Sequence, residues 1–266
     1  MTSVIVLGLL GLCFGSFVNA LVWRIRKKRD IVRERSECTH CHHILAWYDL
    51  VPVVSYLLLR GRCRYCRKPI DDTPLTELAT ALLFVISYLA WPYQLATVAD
   101  WSLVVLWLVL LVGLVALADY DIRWYLLPDV IVFPLIVLGA VFGVLRFTIV
   151  EQQGIMAGLG TMVGGVAIIA GLYALLYAVS SGKWVGFGDV KLNVGLGLIV
   201  GWQGALVVVF LANLIGMLVI LPGLVTKRLT KTSRIPFGPF LITACIVTVL
   251  WGEQLINWYI HSFLSL

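Results

Sequence analysis

The sequence predicts an all-α membrane protein with about eight transmembrane helices and a small polar domain between the first two. Composition is the first reason, because 61% of the 266 residues are hydrophobic and only 13% are charged. Ordinary soluble domains carry about 25% charged residues, so this chain does not belong among them. The second and third reasons are the lengths of its apolar runs and the positions of its basic residues.

Seven apolar runs approach or exceed the roughly 20 residues that a helix needs to cross the hydrocarbon core of a bilayer. They occupy residues 3–23, 75–91, 101–118, 130–147, 155–180, 205–225 and 237–260. An eighth run, residues 190–202, is shorter. We predict that it forms a helix that begins inside the protein rather than at the lipid boundary.

Basic residues mark one side of the predicted membrane domain. Of the 20 lysines and arginines, only Arg146 falls outside the loops that eight spans place on the same side. Cytoplasmic loops are enriched in Lys and Arg, so that side is predicted to be the cytoplasm. The net charge of +6 then reflects topology and contact with anionic lipid headgroups, and we expect no nucleic-acid partner. Because basic residues follow the first run, as in an ordinary span, we expect no cleaved signal peptide.

The polar stretch of residues 24–73 is predicted to be a cytoplasmic zinc-binding domain. It contains two Cys-x-x-Cys pairs, whose four cysteines are Cys38, Cys41, Cys63 and Cys66. Each pair can present two thiolates from a tight turn, which suits tetrahedral zinc, and a reducing cytoplasm argues against disulfides. A zinc site with four cysteines is closed to substrate, so the metal would be structural. The alternative is a set of redox-active or free thiols.

Two aspartates stand where an apolar run meets a polar junction. Asp121 follows the third run, and Asp189 closes the sequence Gly-Phe-Gly-Asp before the run of residues 190–202. A carboxylate near hydrocarbon costs roughly 3 kcal/mol at the bilayer centre, so it usually has a function. Eight spans place both acids at the same depth on the cytoplasmic side. Neighbouring carboxylates do not ionise together easily, and a shared proton is what an aspartic protease requires.

The residues around this pair suit a site that cleaves peptides. Gly186 and Gly188 leave the backbone bare, so an extended substrate could approach it closely. Asp129 precedes the fourth run and is interpreted as structural or substrate-positioning, since an acid suits the first turn of a helix. Asp119 is expected on a different helix face from Asp121.

Other interpretations of these residues are open. Asp189 alone would suit the cap of a helix, and Asp121 would suit an ion pair with Arg123 or Lys191. The chain has no His-Glu-x-x-His motif for a zinc protease. Its histidines do not provide a base beside a serine on the cytoplasmic side. A Ser–Lys dyad using Lys183 or Lys191 is also open, although no spacing singles it out.

Several motifs make the sequence resemble the type IV leader peptidase family, the bacterial prepilin peptidases. In the first third of the chain they are Gly15-Ser16-Phe17-Val18-Asn19, the paired Cys-x-x-Cys turns, Tyr48-Asp49-Leu50-Val51-Pro52-Val53-Val54-Ser55-Tyr56, Gly61-Arg62-Cys63 and Glu77. Later they are the segment from Asp121 to Pro128-Asp129, Gly186-Phe187-Gly188-Asp189 with Lys191, and Ile235-Pro236-Phe237-Gly238-Pro239. A Gly-x-Gly-Asp motif is shared with presenilin-like proteases, whereas the cysteine pairs and Pro-Phe-Gly-Pro favour the prepilin enzymes.

The resemblance implies an enzyme of the bacterial cytoplasmic membrane with Asp121 and Asp189 as its catalytic pair. The implied activity is removal of a short basic leader from type IV prepilins or type II secretion pseudopilins, after a glycine at the cytoplasmic face. The resemblance also implies methylation of the new N-terminal amine with S-adenosylmethionine. The residues expected to contact the substrate are Gly186, Gly188, Asp129, Glu77 and Lys191.

On this interpretation the chain has three parts, a first transmembrane helix (residues 1–23), the zinc-binding domain (24–73) and a seven-helix membrane peptidase domain (74–266). The acids Asp71, Asp72 and Glu77 are candidates for receiving the basic leader, and a solvated acidic turn is the alternative. Three other functions are left open: a presenilin-like protease of other substrates, a transporter that relays protons through its aspartates, and a zinc-dependent scaffold without enzymatic activity.

Overall fold

The structure is a computed structural model that describes residues 1–31, 33–70, 72–226 and 235–264. Every regular element within these ranges is helical, apart from two isolated β-bridges, so the predicted all-α fold is confirmed. The chain divides into two compact units, Met1–Leu89 and Ala90–Leu266. Two features of the sequence analysis, Asp71 and the basic residues of 227–234, lie outside the described residues.

The first unit contains a long helix, α1 (Thr2–Lys27), a short helix, α2 (Val54–Leu58), and a third helix, α3 (Leu75–Leu89). Two glycines let α1 lie directly against α3. A Cβ atom at Gly11 or Gly15 would come within 2.5 Å of the α carbon of Ala81 or Glu77, respectively. Small residues four positions apart allow such close approach of two apolar helices. The contact fixes the start of α3 against the middle of α1.

The second unit consists of five long helices. They are α4 (Val98–Trp124), α5 (Asp129–Val144), α6 (Ile155–Ser180), α7 (Phe187–Val225) and α8 (Gly238–Tyr259), with π-helical turns at Leu145–Val150 and Ile260–Leu264. Among the described residues, six helices are long and apolar enough to cross a membrane, and α3 is a shorter apolar helix. The chain is therefore a multi-pass membrane protein. The count of eight spans stays a prediction.

Helix α7 accounts for two of the predicted runs. It bends at Gly201, whose backbone (φ 70°, ψ −178°) is not helical, and this bend separates the run of residues 190–202 from the run of residues 205–225. Positive φ favours glycine, and a Cβ atom here would also lie 2.6 Å from the side chain of Thr161. The glycines of α6 allow close packing against α7, because Gly165 lies directly on the carbonyl oxygen of Gly197.

Arg146, the basic residue that the predicted loops leave out, is bound inside the second unit. Its guanidinium donates to the Tyr93 hydroxyl at 2.7 Å and to Glu151 at 2.8 Å. It also reaches the carbonyl oxygen of Ile199 at 3.3 Å. A charge that is mostly buried must be paired in this way to be tolerated. Arg146 therefore ties the end of α5 to α7 rather than marking a side of the membrane.

Candidate functional site

Asp121 lies in the last turn of α4, with only 6% of the residue exposed. The helix ends three residues later, where Tyr125 takes a left-handed conformation (φ 56°) and its N–H donates to the Asp121 carbonyl at 2.8 Å. This turn leads directly to Pro128 and the first turn of α5. Helix α4 thus ends just after Asp121, whose side chain is buried in the protein.

The backbone of Gly238, at the start of α8, holds the Asp121 carboxylate. Its N–H donates to Asp121 Oδ2 at 3.0 Å, in a buried hydrogen bond between residues 117 positions apart. A Cβ atom at Gly238 would lie only 2.7 Å from the same oxygen. The bond also places the carboxylate at the N-terminus of α8, where the helix dipole favours negative charge. Gly238, the glycine of the Pro-Phe-Gly-Pro motif, is therefore required by its contact with Asp121, which the sequence alone did not reveal.

Asp189 lies in the first turn of α7 and accepts a hydrogen bond from the Gly186 N–H at 3.3 Å. This bond caps α7, which is one of the interpretations that the sequence left open for Asp189. The Asp189 carboxylate is close enough to Asp121 for the two charges to interact. Leu127 lies between the two glycine backbones, 3.2 Å from a Cβ built on Gly188 and 3.6 Å from one built on Gly238.

The neighbouring acids are neutralised, whereas this pair is not. Asp119 pairs with Arg123 at 3.0 Å, and Asp129 pairs with Lys191. Within the described parts of the chain, no basic side chain forms an ion pair with Asp121 or Asp189. The alternative in which Asp121 pairs with Arg123 or Lys191 is therefore wrong, because both cations are bound to other acids. Two carboxylates that face each other without a cation hold a shared proton readily.

Two residues near the pair were missed in the sequence. The side chain of Tyr173, on α6, is buried, lies within electrostatic range of Asp189 and packs its ring 5.9 Å from that of Phe237. Asn193 follows Asp189 by one helical turn, is 0% exposed, and has no hydrogen-bond partner for either side-chain polar atom among the described residues. Each is a single polar residue in an apolar run, so no pattern distinguished it from a packing residue.

In the first unit, four cysteine sulfurs form a cluster that could hold a metal ion. The Sγ atoms of Cys38, Cys41, Cys63 and Cys66 lie within 4.8 Å of one another, and those of Cys38 and Cys66 are 3.9 Å apart. Tetrahedral zinc with Zn–S bonds of about 2.3 Å separates its sulfurs by about 3.8 Å. The predicted ligand set is therefore brought together by the fold.

The two halves of this cluster are built alike. In each, the N–H of the first cysteine donates to a carbonyl five residues later, namely that of His43 or Lys68. The residue after each second cysteine, His42 or Arg67, has a left-handed backbone (φ 56° and 58°). Burial opposes ionisation of the Cys38 thiol, but hydrogen bonds from neighbouring backbone N–H groups and thiols lower its pKa to about 7. The surroundings of Cys38 therefore favour the thiolate that a metal requires.

Ion pairs and hydrogen bonds attach the second cysteine turn to the rest of the loop. Arg64 Nε donates to Asp49 Oδ1 at 2.8 Å, and the Tyr65 hydroxyl donates to Asp49 Oδ2 at 3.1 Å. Burial alone would raise the pKa of the Asp49 carboxyl, but these bonds outweigh it and hold that pKa below its usual range. Asp49 therefore has a structural role.

The predicted substrate residues divide between the two units. Gly186 and Gly188 adjoin Asp189 directly, and Lys191 joins the start of α7 to Asp129 at the start of α5. Glu77 belongs to the first unit, where it is 8% exposed and accepts a hydrogen bond from the Val53 N–H at 2.6 Å. Glu77 therefore requires an interpretation of its own.

Comparisons with known proteins agree with these two regions. Residues 9–91 match the model of the bacterial peptidase A24 N-terminal domain, and residues 108–221 match the model of the type IV leader peptidase family. A prepilin leader peptidase/N-methyltransferase of Aeromonas hydrophila is 33% identical over 88% of this chain and 78% of its own length. Proteins of the same name from Stutzerimonas stutzeri and Pseudomonas aeruginosa are each 32% identical over 95% of this chain and 92% of their own. No solved structure matches the chain.

Proposed function

Since this chain belongs to the type IV leader peptidase family, we propose that it is an aspartic endopeptidase with N-methyltransferase activity. Its substrates are the precursors of type IV pilins or type II secretion pseudopilins, cut after a glycine at the cytoplasmic face of the bacterial inner membrane. One observation carries the proposal: Asp121 and Asp189 interact, and among the described residues neither of them forms an ion pair with a basic side chain.

The two aspartates divide the work of hydrolysis. One ionised carboxylate takes a proton from water, whose oxygen then bonds to the carbonyl carbon of the glycine, while the other, protonated, donates a hydrogen bond to that carbonyl oxygen. The tetrahedral intermediate breaks at the carbon–nitrogen bond, and the departing nitrogen receives a proton from the pair. The products are the leader's carboxylate and the mature chain's amine. The roles belong to the pair as a unit.

The edges of the site suit a peptide that lies between α5 and α7. Gly186 and Gly188 have no side chains, so a substrate strand can approach the start of α7 closely. The Lys191–Asp129 pair lies at the same ends of the helices and orients the polar part of the substrate. Tyr173 and Asn193 line the buried side. A precursor helix lying in the bilayer would meet this site where its leader begins.

The amine nitrogen that cleavage exposes takes a methyl group from the sulfonium of S-adenosylmethionine, the carbon–sulfur bond breaking as the carbon–nitrogen bond forms and the nitrogen releasing one proton. Zinc held by Cys38, Cys41, Cys63 and Cys66 stabilises the fold of the cytoplasmic loop, which is too small to bury much core. It takes no part in hydrolysis, because four thiolates leave it no open position.

The dyad is tested by substituting each acid and, as a matched control, the acid two residues away. Asp121→Asn and Asp189→Asn are each expected to slow cleavage of a purified precursor by about 1,000-fold or more, since acid–base catalysis of this kind is lost outright. Asp119→Asn makes the same change on α4 and is expected to stay within about fivefold of the wild type. Cleavage is followed by gel shift, and the cut site by mass spectrometry.

If Asp189→Asn cleaved the precursor at the wild-type rate, the dyad would be rejected. Loss of cleavage in Asp119→Asn to the same degree would instead indicate that any acid lost from this end of α4 disrupts the fold.

A further inference from the structure

We propose that residues 50–59 of the first unit insert into the bilayer as a re-entrant segment, with phospholipid of the nearer leaflet covering the outer face of α2. Residues 24–73 were predicted to lie in the cytoplasm as one domain, so the proposal moves part of that domain into the membrane. It concerns the first unit alone and does not depend on the proposed peptidase or methyltransferase activity.

The sequence of this segment is apolar almost throughout. Residues 50–59 read Leu-Val-Pro-Val-Val-Ser-Tyr-Leu-Leu-Leu and include no charged side chain. Apolar runs of about 10–14 residues are too short to span a bilayer, and they are typical of buried core helices or of re-entrant and interfacial segments. The structure distinguishes these cases, because a buried core helix has its apolar face covered by protein.

Helix α2 presents its apolar face outward. Val54, Leu57 and Leu58 are 51%, 65% and 77% exposed, and their spacing puts them on one side of the helix. The other side carries Ser55 and Tyr56, which line a cavity of about 430 Å³ within the first unit. A helix between a protein core and water has the reverse arrangement, with its polar side outward. The outer face of α2 therefore suits hydrocarbon rather than water.

The position of α2 along α1 places its start at membrane depth. The Val53 N–H donates to Glu77 Oε2 at 2.6 Å, and Glu77 lies directly against Gly15. The apolar run of α1 continues from Gly15 to Trp23, which is about 12 Å of helix at 1.5 Å per residue. Glu77 therefore anchors the start of α2 well inside the level at which α1 becomes polar.

Helix α3 is too short to fill this leaflet by itself. It has 15 residues and is about 22 Å long, whereas the hydrocarbon core of a bilayer is about 30 Å thick. Because α3 begins against the middle of α1, the missing length falls on the side of the loop. Leu75 and Leu78, each within one turn of Glu77, are exposed and bring the apolar surface of α3 up to the start of α2. Residues 50–59 fill the depth that α3 does not span.

Hydrogen-bond donors at the start of α2 bind partners within the protein, which insertion into hydrocarbon requires. The Val53 N–H is bound by the Glu77 carboxylate. The N–H groups of Ser55 and Leu57 donate to the carbonyls of Val51 and Val53 at 3.1 and 3.0 Å. The Ser55 hydroxyl also donates to the Val51 carbonyl, at 2.7 Å. These donors therefore do not need water.

The residues on either side of the segment are of the types found at membrane surfaces. Trp47 and Tyr48 precede it and Arg60 and Arg62 follow it, and all four are exposed. Trp and Tyr are enriched where a bilayer meets water, and arginines beside a membrane attract anionic headgroups. These charges favour anionic phospholipid as the occupant, because the same arginines would repel the basic leader of a precursor.

Insertion is tested by spin labelling of the full-length, zinc-loaded protein in nanodiscs of phosphatidylethanolamine and phosphatidylglycerol, with one copy in each disc. The label is attached to a genetically encoded ketone residue, which leaves the six native cysteines untouched. Collisions of the label with oxygen, which concentrates in hydrocarbon, are compared with its collisions with a nickel chelate, which stays in water. For a label in place of Leu58 we expect an oxygen-to-nickel ratio about tenfold above that of a label in water, since hydrocarbon excludes polar solutes.

Two control positions calibrate this ratio. Leu9 is exposed on α1, a helix long and apolar enough to cross the membrane, and gives the value for lipid. Arg33 is exposed in the loop that follows α1 and gives the value for water. A ratio at Leu58 equal to that at Leu9 supports insertion, whereas a ratio equal to that at Arg33 overturns it.

A second measurement needs no label. Leu58→Gln puts an amide on the outer face of α2 at similar size, and it should lower the melting temperature in nanodiscs by about 3 °C or more if that face lies in hydrocarbon. Arg33→Gln introduces the same side chain in the loop and should leave the melting temperature within about 1 °C of the wild type. Zinc content verifies that both variants are folded. Equal melting temperatures would contradict insertion.

Two other occupants of the outer face of α2 would give different results. If a precursor covers it, the label at Leu58 is open to nickel in discs without precursor and becomes protected only when precursor is added. If a second copy of the chain covers it, protection appears only in discs that hold two copies. Either result would overturn insertion into lipid, and neither would affect the test of the aspartate pair.

Discussion

The two units each hold a buried acid in the same manner, yet in different surroundings. In the second unit Asp121 accepts one backbone N–H from Gly238 and faces a second acid, Asp189. In the first, Glu77 accepts one backbone N–H from Val53 and faces Asp72. A glycine also lies against each acidic residue, since a Cβ on Gly238 would lie 2.7 Å from Asp121 Oδ2 and a Cβ on Gly15 would lie 2.5 Å from the Glu77 α carbon.

The difference lies in what surrounds each pair. Asp121 and Asp189 stand at the N-termini of α8 and α7, where dipoles favour a negative charge without supplying a counter-ion. Such a pair keeps a proton available for transfer. Glu77 opens instead onto a cavity with an unsatisfied amide at Asn19. The comparison indicates that two neighbouring acids alone do not define an activity, because the two pairs have different surroundings.

Among substitutions that leave both acids in place, the largest effect is expected from adding one methyl group beside the peptidase pair. Gly238→Ala would place a Cβ 2.7 Å from Asp121 Oδ2, so the carboxylate must move and lose its N–H partner. We expect the rate of precursor cleavage to fall about 100-fold, the typical result of displacing a catalytic group by about 1 Å. The control is Gly171→Ala, because a Cβ there meets nothing within 4 Å. Equal rates for the two variants would contradict the importance of this contact.

A smaller effect is expected from the corresponding glycine in the first unit. Gly15→Ala would press on the Glu77 α carbon at 2.5 Å and push α1 away from α3, at a cost of about 1–3 kcal/mol in stability. The melting temperature of the protein should fall accordingly. Gly8→Ala on the same helix is the control, since its Cβ would meet only Val85 at an ordinary 3.7 Å. A melting temperature of Gly15→Ala equal to that of Gly8→Ala would contradict the importance of the contact between α1 and α3.

Much of the fold could be predicted from the sequence because apolar run length is a direct consequence of bilayer thickness. The ends of the helices were harder to predict. The third run was predicted to end at residue 118, whereas α4 continues to Trp124, because Arg123 pairs with Asp119 one turn earlier and polar residues are thereby accommodated in the helix. The bend at Gly201 likewise depends on the approach of α6.

Site residues could be predicted where they belong to a recognisable sequence motif. They could not be predicted where their role depends on a single contact in the folded protein. The cysteine pairs and the two aspartates carry recognisable patterns, and the fold brings each set together. Asn193 carries no such pattern, because a buried amide is distinguished only by the partners it lacks in three dimensions. The surroundings of Glu77 could not be predicted, because they are formed by three segments that are separate in the sequence.

The smallest effect is expected from the ion pair at the edge of the peptidase site. The Asp129 side chain is 51% exposed and that of Lys191 is 24% exposed, and pairs of this kind contribute about 0.2–1 kcal/mol. Asp129→Asn and Lys191→Gln should each raise the KM for the precursor about threefold with kcat unchanged, since the pair positions substrate rather than transferring protons. Because the residues act together, the double variant should resemble either single one. If the two increases in KM multiplied in the double variant, each side chain would contact the precursor independently of the other.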